Sequence, residues 1–400
     1  MFRKYALSIL ITLALPVAAQ AGGGGVPSEA VAPVLGSNGA SAVVLAEAGG
    51  FIYGYQMDGL TVGFEGPLNQ LPGYEALTGG FKGWPDLDGN GITDLVVVSD
   101  TGFLVGYLFE AAGDGFSVLE TAAIPATLPA NNTVLGWPDL DGDGNSDLVF
   151  QDDSTGATTA VLMDGLDISS SGALPGLPAS GGYRTIGFPD VNGDGRADVV
   201  IQAASGFSYA YLTGIDGLTT LEAGQIPGPP TENYRTAGFP DLNGDGAADI
   251  VIQEAGGYAY AYLMEGDGLI VEDQGPVSSI PDYNLIGFPQ LGGPVDGGDD
   301  LVLQSASGFT IGIVMDGGGV TTQPAVGMPS LATSNGYSVL GFPNLDGDDQ
   351  ADLVWQHSGG FTYGYVLDGT TEESGGPLPT RPAGYENLTW ATKTVPPLPQ

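Results

Sequence analysis

Residues 187–202 read GFPDVNGDGRADVVIQ. Asp190, Asn192, Asp194 and Asp198 place four oxygen-bearing side chains at positions 1, 3, 5 and 9 of a nine-residue loop. Gly193 and Gly195 allow a tight turn, and the apolar triplet Val199-Val200-Ile201 follows at once. Three carboxylates so close together repel one another. The crowding therefore calls for a cation.

The pattern is not local. GWPDLDGNGITDLVVV (83–98), GWPDLDGDGNSDLVFQ (136–151), GFPDLNGDGAADIVIQ (238–253) and GFPNLDGDDQADLVWQ (341–356) are copies, and GFPQLGGPVDGGDDLVLQ (287–304) is a damaged copy with two extra residues. The loops begin at Asp86, Asp139, Asp190, Asp241, Gln290 and Asn344, at spacings of 53, 51, 51, 49 and 54. A repeat of this period organises the chain and governs the choice of fold.

Each unit continues alike. A Gly-aromatic pair opens an alternating strand, as in GFIYGYQMDGL (50–60) and GFTYGYVLDG (360–369). Small residues recur within it at Gly54, Gly106, Ala160, Ala210, Ala261, Gly312 and Gly364, where close approach of a neighbouring backbone is expected. Asp-Gly pairs at 58–59, 164–165, 216–217 and 368–369 mark hairpin turns. Pro-rich connections then lead to Tyr74, Tyr183, Tyr234, Tyr283 and Tyr337.

Four short strands per unit and no helical period predict an all-β fold, a β-propeller of four-stranded blades. The apolar triplets suit strands covered on both faces. An open solenoid would need polar end caps, and none is visible. The first unit starts at Val34 and lacks its opening strand, while YENLTW (385–390) matches that strand and stops. Tyr385 aligns with Tyr337, Leu388 with Leu340 and Trp390 with Phe342. The C-terminal strand is expected to complete the N-terminal blade, so six whole units and one split unit predict seven blades.

Composition sets further bounds. The 400 residues carry a formal charge of −39, no Cys and one His, and 42 % are hydrophobic. Such acidity argues against nucleic acid or an anionic membrane surface as partner and is compatible with cations. Without Cys, no disulfide holds the fold. Arg3 and Lys4, the apolar stretch Ala6 to Val17 and Ala19-Gln20-Ala21 read as a signal peptide over 1–21. A Gly-rich linker (22–33), the propeller (34–392) and a tail (393–400) follow, and no other stretch is long and apolar enough to span a bilayer. The expected location is periplasmic or extracellular.

Oxygens at positions 1, 3, 5, 7 and 9, the seventh from the main chain, suit a hard cation, and calcium fits best. The predicted ligand sets are Asp86, Asp88, Asn90, Ile92 and Asp94; Asp139, Asp141, Asp143, Asn145 and Asp147; Asp190, Asn192, Asp194, Arg196 and Asp198; Asp241, Asn243, Asp245, Ala247 and Asp249. A fifth set is Asn344, Asp346, Asp348, Gln350 and Asp352, where Asp349 replaces a glycine. Position 7 varies freely, as a main-chain ligand permits. An EF-hand is excluded, because position 12 is Val97, Phe150, Ile201, Ile252 or Trp355 inside a strand rather than a bidentate Glu. The 290–300 loop has lost its spacing, and VLGSNGASA (34–42) has no carboxylate and is expected to be metal-free.

The Gly-Phe-Pro opening, the D-x-[DN]-x-D-G-x-x-D loop and the Gly-aromatic-x-Tyr strand resemble the FG-GAP repeats of the integrin alpha-subunit propeller and their bacterial, VCBS-type relatives. The resemblance covers 34–390. It implies a seven-bladed propeller with calcium in loops on one face, and roles in adhesion or extracellular recognition. Some relatives degrade polysaccharides.

Catalytic signals are sparse. His357 has no Cys or second His to partner it. Arg184 and Arg235, in equivalent Tyr-Arg-Thr contexts, could form a weak cationic spot for an acidic sugar or take an ion-pair role. The repeated aromatic strands are expected to pack in the core rather than serve as sugar platforms. Gln151, Gln202, Gln253, Gln304 and Gln356 are expected to satisfy buried backbone groups. The sequence thus predicts a non-catalytic calcium-binding recognition or adhesion module with a protein or glycan partner. A calcium-assisted polysaccharide lyase, a lectin and a self-assembling surface or filament subunit are the alternatives.

Overall fold

The computed structural model describes residues 35, 40, 42–47, 50–77, 84–112, 115–177, 182–231, 233–266, 269–292, 298–315, 317, 320, 324–348, 350–379 and 385–387. The signal-peptide, linker and tail segments, and Leu388 and Trp390, lie outside the described residues.

The fold is an all-β propeller of four-stranded antiparallel blades. The strands form seven four-stranded sheets. Six are each drawn from one contiguous stretch, within 74–127, 132–173, 184–226, 234–278, 283–327 and 337–377, and their strands lie side by side in chain order. The seventh joins Ala42–Glu47, Ile52–Asp58 and Thr61–Asn69 to the C-terminal strand Tyr385–Asn387. Tyr385 pairs with Glu47 and Asn387 with Leu45, the register in which Tyr337 pairs with His357 and Val339 with Trp355. The split unit is thus joined across the two ends of the chain, as the alignment of YENLTW predicts. Among the described residues the one helical piece is a 3-10 turn, Thr333–Asn335.

The sheet from 184–226 shows how sequence sets structure. Its strands are Arg184–Gly187, Val199–Gln202, Ser208–Thr213 and Thr220–Ile226. The second, with its β-branched triplet, is buried throughout, whereas the fourth is mostly exposed and forms the rim. Burying such a Val or Ile contributes roughly 1.5–3 kcal/mol. A bulge lies between Thr185 and Gly187, and the same shift recurs at Thr236/Gly238, Leu285/Gly287 and Val339/Gly341. It bends the first strand just before each acidic loop.

The glycine after each bulge is explained by the next blade. A Cβ on Gly187, Gly238 or Gly287 would lie 3.1, 2.5 or 2.4 Å from the ring of Phe239, Phe288 or Phe342. The Gly-Phe pair is therefore a self-complementary unit, in which each ring lies on the preceding blade's glycine.

The small residues of the third strand have a different cause from the one expected. The group that approaches them is a side chain rather than a backbone. A Cβ on Gly106 would meet Leu166 at 2.3 Å, one on Gly312 would meet Thr370 at 2.7 Å, and one on Gly364 would meet Leu60 at 3.0 Å. Each of these neighbours directly follows, or ends, the next sheet's third-to-fourth-strand turn. The Leu60 contact joins the composite sheet to the 337–377 sheet, as does the bond from Gly59 N–H to Leu345 O (2.9 Å). On its other side, Phe64 packs edge-on against Phe116 of the 74–127 sheet at 5.1 Å.

Candidate metal centre

Antiparallel alternation fixes where the loops go. The acidic loop joins the first and second strands, and the Asp-Gly turn joins the third and fourth, so both emerge at one end of the blade. The two are bonded across blades, as where Gly165 N–H donates to Leu87 O at 2.9 Å. The Gly-aromatic turns and the Pro-rich connections emerge at the opposite end.

Each loop folds around its own carboxylates. The Asp190 carboxylate accepts from the N–H groups of Asp194 (3.1 Å) and Gly195 (2.7 Å), and Asp241 accepts from Gly244, Asp245 and Gly246. Glycines at positions 4 and 6 have positive φ, such as Gly193 (65°) and Gly195 (84°), which lets successive amides turn toward one carboxylate.

Position 9 is a buried staple. Asp198 Oδ2 accepts from Val191 N–H (2.9 Å) and Oδ1 from Thr213 N–H (2.8 Å), which ties the loop to the third strand. Asp94, Asp147, Asp249 and Asp352 make the same two bonds, to Leu87 and Phe109, Leu140 and Met163, Leu242 and Met264, and Leu345 and Leu367. All five side chains are buried. Burial pushes Asp94 and Asp147 up to about 8, and Asp198, Asp249 and Asp352 up to about 7, although the backbone N–H groups favour the ionised form.

The damaged copy keeps this staple. Asp300 accepts from Leu291, Gly292 and Met315, so it occupies position 9 although two residues have been inserted before it. The unit beginning at Val34, with Ala42 at position 9, substitutes another group. Gln56, fully buried, accepts from Leu35 N–H (3.2 Å) and donates to Ala40 O (2.6 Å). Position 9 is therefore an architectural acceptor as well as a candidate ligand, a role the ligand pattern alone did not show.

Two groups of carboxylates converge as a metal site requires. Asp86, Asp88 and Asp94, and likewise Asp139, Asp141 and Asp147, bring oxygens within 4.8 Å of one another. The loops at 190 and 241 have Asn192 and Asn243 in place of the third carboxylate, and the loop at 344 begins with Asn344. Within these loops two position-3 oxygens, Asp141 Oδ1 and Asn192 Oδ1, are buried without a hydrogen-bond partner. A buried acceptor without a donor is costly, and a cation would satisfy it. Burial, followed by the Asp143 charge, raises Asp141, and burial raises Asp86 and Asp190.

Position 7 is not silent. Asn145 Nδ2 donates to Asp143 Oδ2 (2.9 Å), Gln350 Nε2 reaches Asp348 Oδ2 (3.4 Å), and the Arg196 guanidinium pairs with Asp194. Free variation there does not mean that the side chain lacks a role. Asp349 lies outside the described residues.

The other candidates are placed as follows. Arg235 donates to Gln253 Oε1 (2.9 Å) and to Leu285 O (3.2 Å) of the next blade, and burial lowers the pKa of both Arg235 and Arg184. Gln253 also donates to Tyr283 O and accepts from Leu285 N–H of the next blade, so it satisfies backbone groups as expected, whereas Gln202 donates to the hydroxyls of Ser208 and Thr236. His357 stacks edge-on against Tyr337 at 5.0 Å, and its Nδ1 accepts from Gly359 N–H. The expectation of core packing fails for four of the aromatics that open the third strand, while Phe51 and Tyr258 at the equivalent place are half-buried. Phe103, Phe207, Phe309 and Phe361 are 44, 53, 54 and 39 % exposed, all beside the turn opposite the acidic loops.

Residues 86–150, 139–201 and 190–252 match the FG-GAP-like repeat. The chain is a β-propeller that carries three FG-GAP-like repeats. No curated protein sequence matches it. Among solved structures, the chain is similar to the Tc holotoxin pore of Photorhabdus luminescens (14 % identity, TM-score 0.44), covering 81 % of this chain and 18 % of that one. It is also similar to the BP39L lectin of Burkholderia pseudomallei (13 % identity, TM-score 0.44), covering 88 % of this chain and 100 % of that one. A luciferin-regenerating enzyme (14 % identity, TM-score 0.36) covers 78 % of this chain and 93 % of its own. Among the described residues, no helix is long and apolar enough to cross a membrane.

Proposed function

We propose that the protein is an exported, calcium-binding propeller that acts as a non-catalytic recognition or adhesion module, with calcium mainly structural. The observation that carries the calcium reading is the pair of buried, partnerless oxygens on Asp141, inside a loop of converging carboxylates, and on Asn192, at the same position of the following loop. All-oxygen donors in a flexible loop favour calcium over magnesium or a soft metal. A cation that binds the native state alone stabilises it by mass action. In this reading the composite sheet is a seventh blade, in which the C-terminal strand covers the edge that Ala42–Glu47 would otherwise expose.

The non-catalytic reading is supported by His357, whose Nδ1 is held by a backbone amide, and by Arg235, which is committed to blade contacts. The partner would dock on the face opposite the acidic loops, where the exposed rings of Phe103, Phe207, Phe309 and Phe361 recur from blade to blade. Single rings flanked by Ser99 and Thr101, or by Ser305 and Ser307, offer an apolar surface beside hydroxyls, which suits a neutral glycan. The net charge disfavours anionic ligands.

Differential scanning calorimetry after EDTA treatment tests the calcium reading. The melting temperature is expected to fall markedly and to recover with excess calcium; an unchanged melt refutes the reading. A glycan array probed with the native chain and with Phe207→Ala plus Phe309→Ala tests the face. Equal binding by both places the partner elsewhere.

A further inference from the structure

We propose that Arg196 is a resident cation that opposes calcium in the 190–198 loop, so that this loop fills at higher calcium than its neighbour at 241–249. The proposal rests on the calcium reading above.

The two loops form a natural comparison. DVNGDGRAD and DLNGDGAAD carry identical side chains at positions 1, 3, 5 and 9. They differ at position 2, where Val191 and Leu242 are both buried, and at position 7, where Arg196 faces Ala247 in the alignment. Any difference in their affinity must arise largely from Arg196 or from its surroundings.

Arg196 is held in place from several sides. Its Nη2 pairs with Asp194 Oδ2, and its Nε donates to Thr213 O at 3.1 Å. A Cβ built on Gly142 of the preceding loop would lie 2.9 Å from Arg196 Cγ, so a residue with a side chain would crowd the arginine there. The guanidinium shares Asp194 with two other donors: Asn192 Nδ2 bonds to Oδ2 at 3.0 Å, and Arg196 N–H bonds to Oδ1 at 3.0 Å. The position-5 carboxylate is therefore engaged at both oxygens by its own chain. In the 241 loop, Asp245 accepts from Asn243 Nδ2 and Ala247 N–H, and no cation is present at position 7.

Asn192 Oδ1 shows that the arginine does not replace the metal completely. That oxygen is buried and partnerless although the guanidinium lies one ligand away. A divalent ion entering to satisfy it must approach a fixed positive charge of like sign and displace it from Asp194. In a partly buried site this is worth about one to two decades in affinity. One loop thus responds to calcium in a higher range than a loop with the same ligands next to it.

The test is calcium titration by isothermal calorimetry on the metal-stripped full chain. The variants are Arg196→Ala, Arg196→Gln, Arg196→Lys and Ala247→Arg, with folding checked by circular dichroism. Arg196→Ala and Arg196→Gln are expected to tighten one weak site about tenfold or more. Arg196→Lys keeps it weak, and Ala247→Arg weakens one tight site by a similar factor. Arg196→Gln retains a neutral donor and serves if the alanine variant does not fold. Native-like isotherms from both neutral variants overturn the proposal while leaving the calcium reading intact. No calcium uptake by the native chain overturns both.

Discussion

The N–H of Ala248 donates to the carbonyl of Asp190 at 2.6 Å, tying position 8 of one acidic loop to position 1 of the loop before it. Ser146 and Asp86, Ala197 and Asp139, Asp299 and Asp241, and Ala351 and Gln290 repeat the bond at 2.6–2.9 Å. The loops are thus stitched together from blade to blade through the main chain, and the damaged loop keeps its place in the series. Each bond contributes about 1 kcal/mol. The main significance lies in their continuity, because a loop that orders around a cation also fixes an acceptor for the next.

Separate structural and metal roles within a loop can be distinguished by substitution. Asp300→Ala removes the acceptor for three backbone amides, two of them buried, in a loop that lacks the ligand spacing. Each orphaned donor costs about 1–3 kcal/mol, so the loss of stability is expected to be large and the same with or without calcium. Asp245→Ala alters an exposed side chain and is expected to change metal-free stability by about 0.5 kcal/mol or less. Its effect appears as a smaller gain in melting temperature on adding calcium. Urea melts of both variants, with EDTA and with calcium, check the contrast.

Blade contact through the Gly-Phe pair makes a steric prediction. Gly287→Ala would place a Cβ 2.4 Å from the Phe342 ring, while a Cβ on Gly266 would lie 3.8 Å from its nearest neighbour. Overpacking of this kind costs about 1–3 kcal/mol. Gly287→Ala is expected to lower the denaturation midpoint clearly, and Gly266→Ala to leave it nearly unchanged.

Much of this architecture is legible in the sequence because repetition multiplies weak signals. The acidic loop, the apolar triplet and the Asp-Gly turn each recur, and the alignment of Tyr385 with Tyr337 anticipates the backbone register at the chain ends. What escapes a linear reading is the contact between blades. Nothing local in Gly106 distinguishes approach by a leucine side chain from approach by a backbone. The staple role of Asp198 is hidden because a candidate ligand and a staple demand the same residue. Asp300 could have been recognised, since every staple aspartate directly precedes an apolar triplet. The exposure of Phe207 beside half-buried Tyr209 was hidden for a different reason. Both lie on one face of the strand, and distance from the turn, rather than alternation, sets their burial.

The staple aspartates make metal-free stability depend on pH in a defined direction. Asp94 and Asp147 titrate at about 8 in the fold, and Asp198, Asp249 and Asp352 at about 7, because burial disfavours their charged forms. In the unfolded chain an Asp titrates near 3.9. Between these values the folded state binds more protons than the unfolded state, so stability falls as pH rises from about 4 to about 8. The metal-free protein is therefore expected to melt at a higher temperature at pH 5 than at pH 8. Calcium favours the ionised carboxylates and must release protons when it binds in this range. Its stabilising effect should accordingly be larger at pH 8 than at pH 5, and its binding enthalpy should vary with the ionisation enthalpy of the buffer. Calorimetric melts at both pH values, with EDTA and with calcium, measure the first effect, and titrations in two buffers measure the second. A metal-free melting temperature that rises from pH 5 to pH 8 would show that the staples are ionised throughout, held by their two backbone amides against burial.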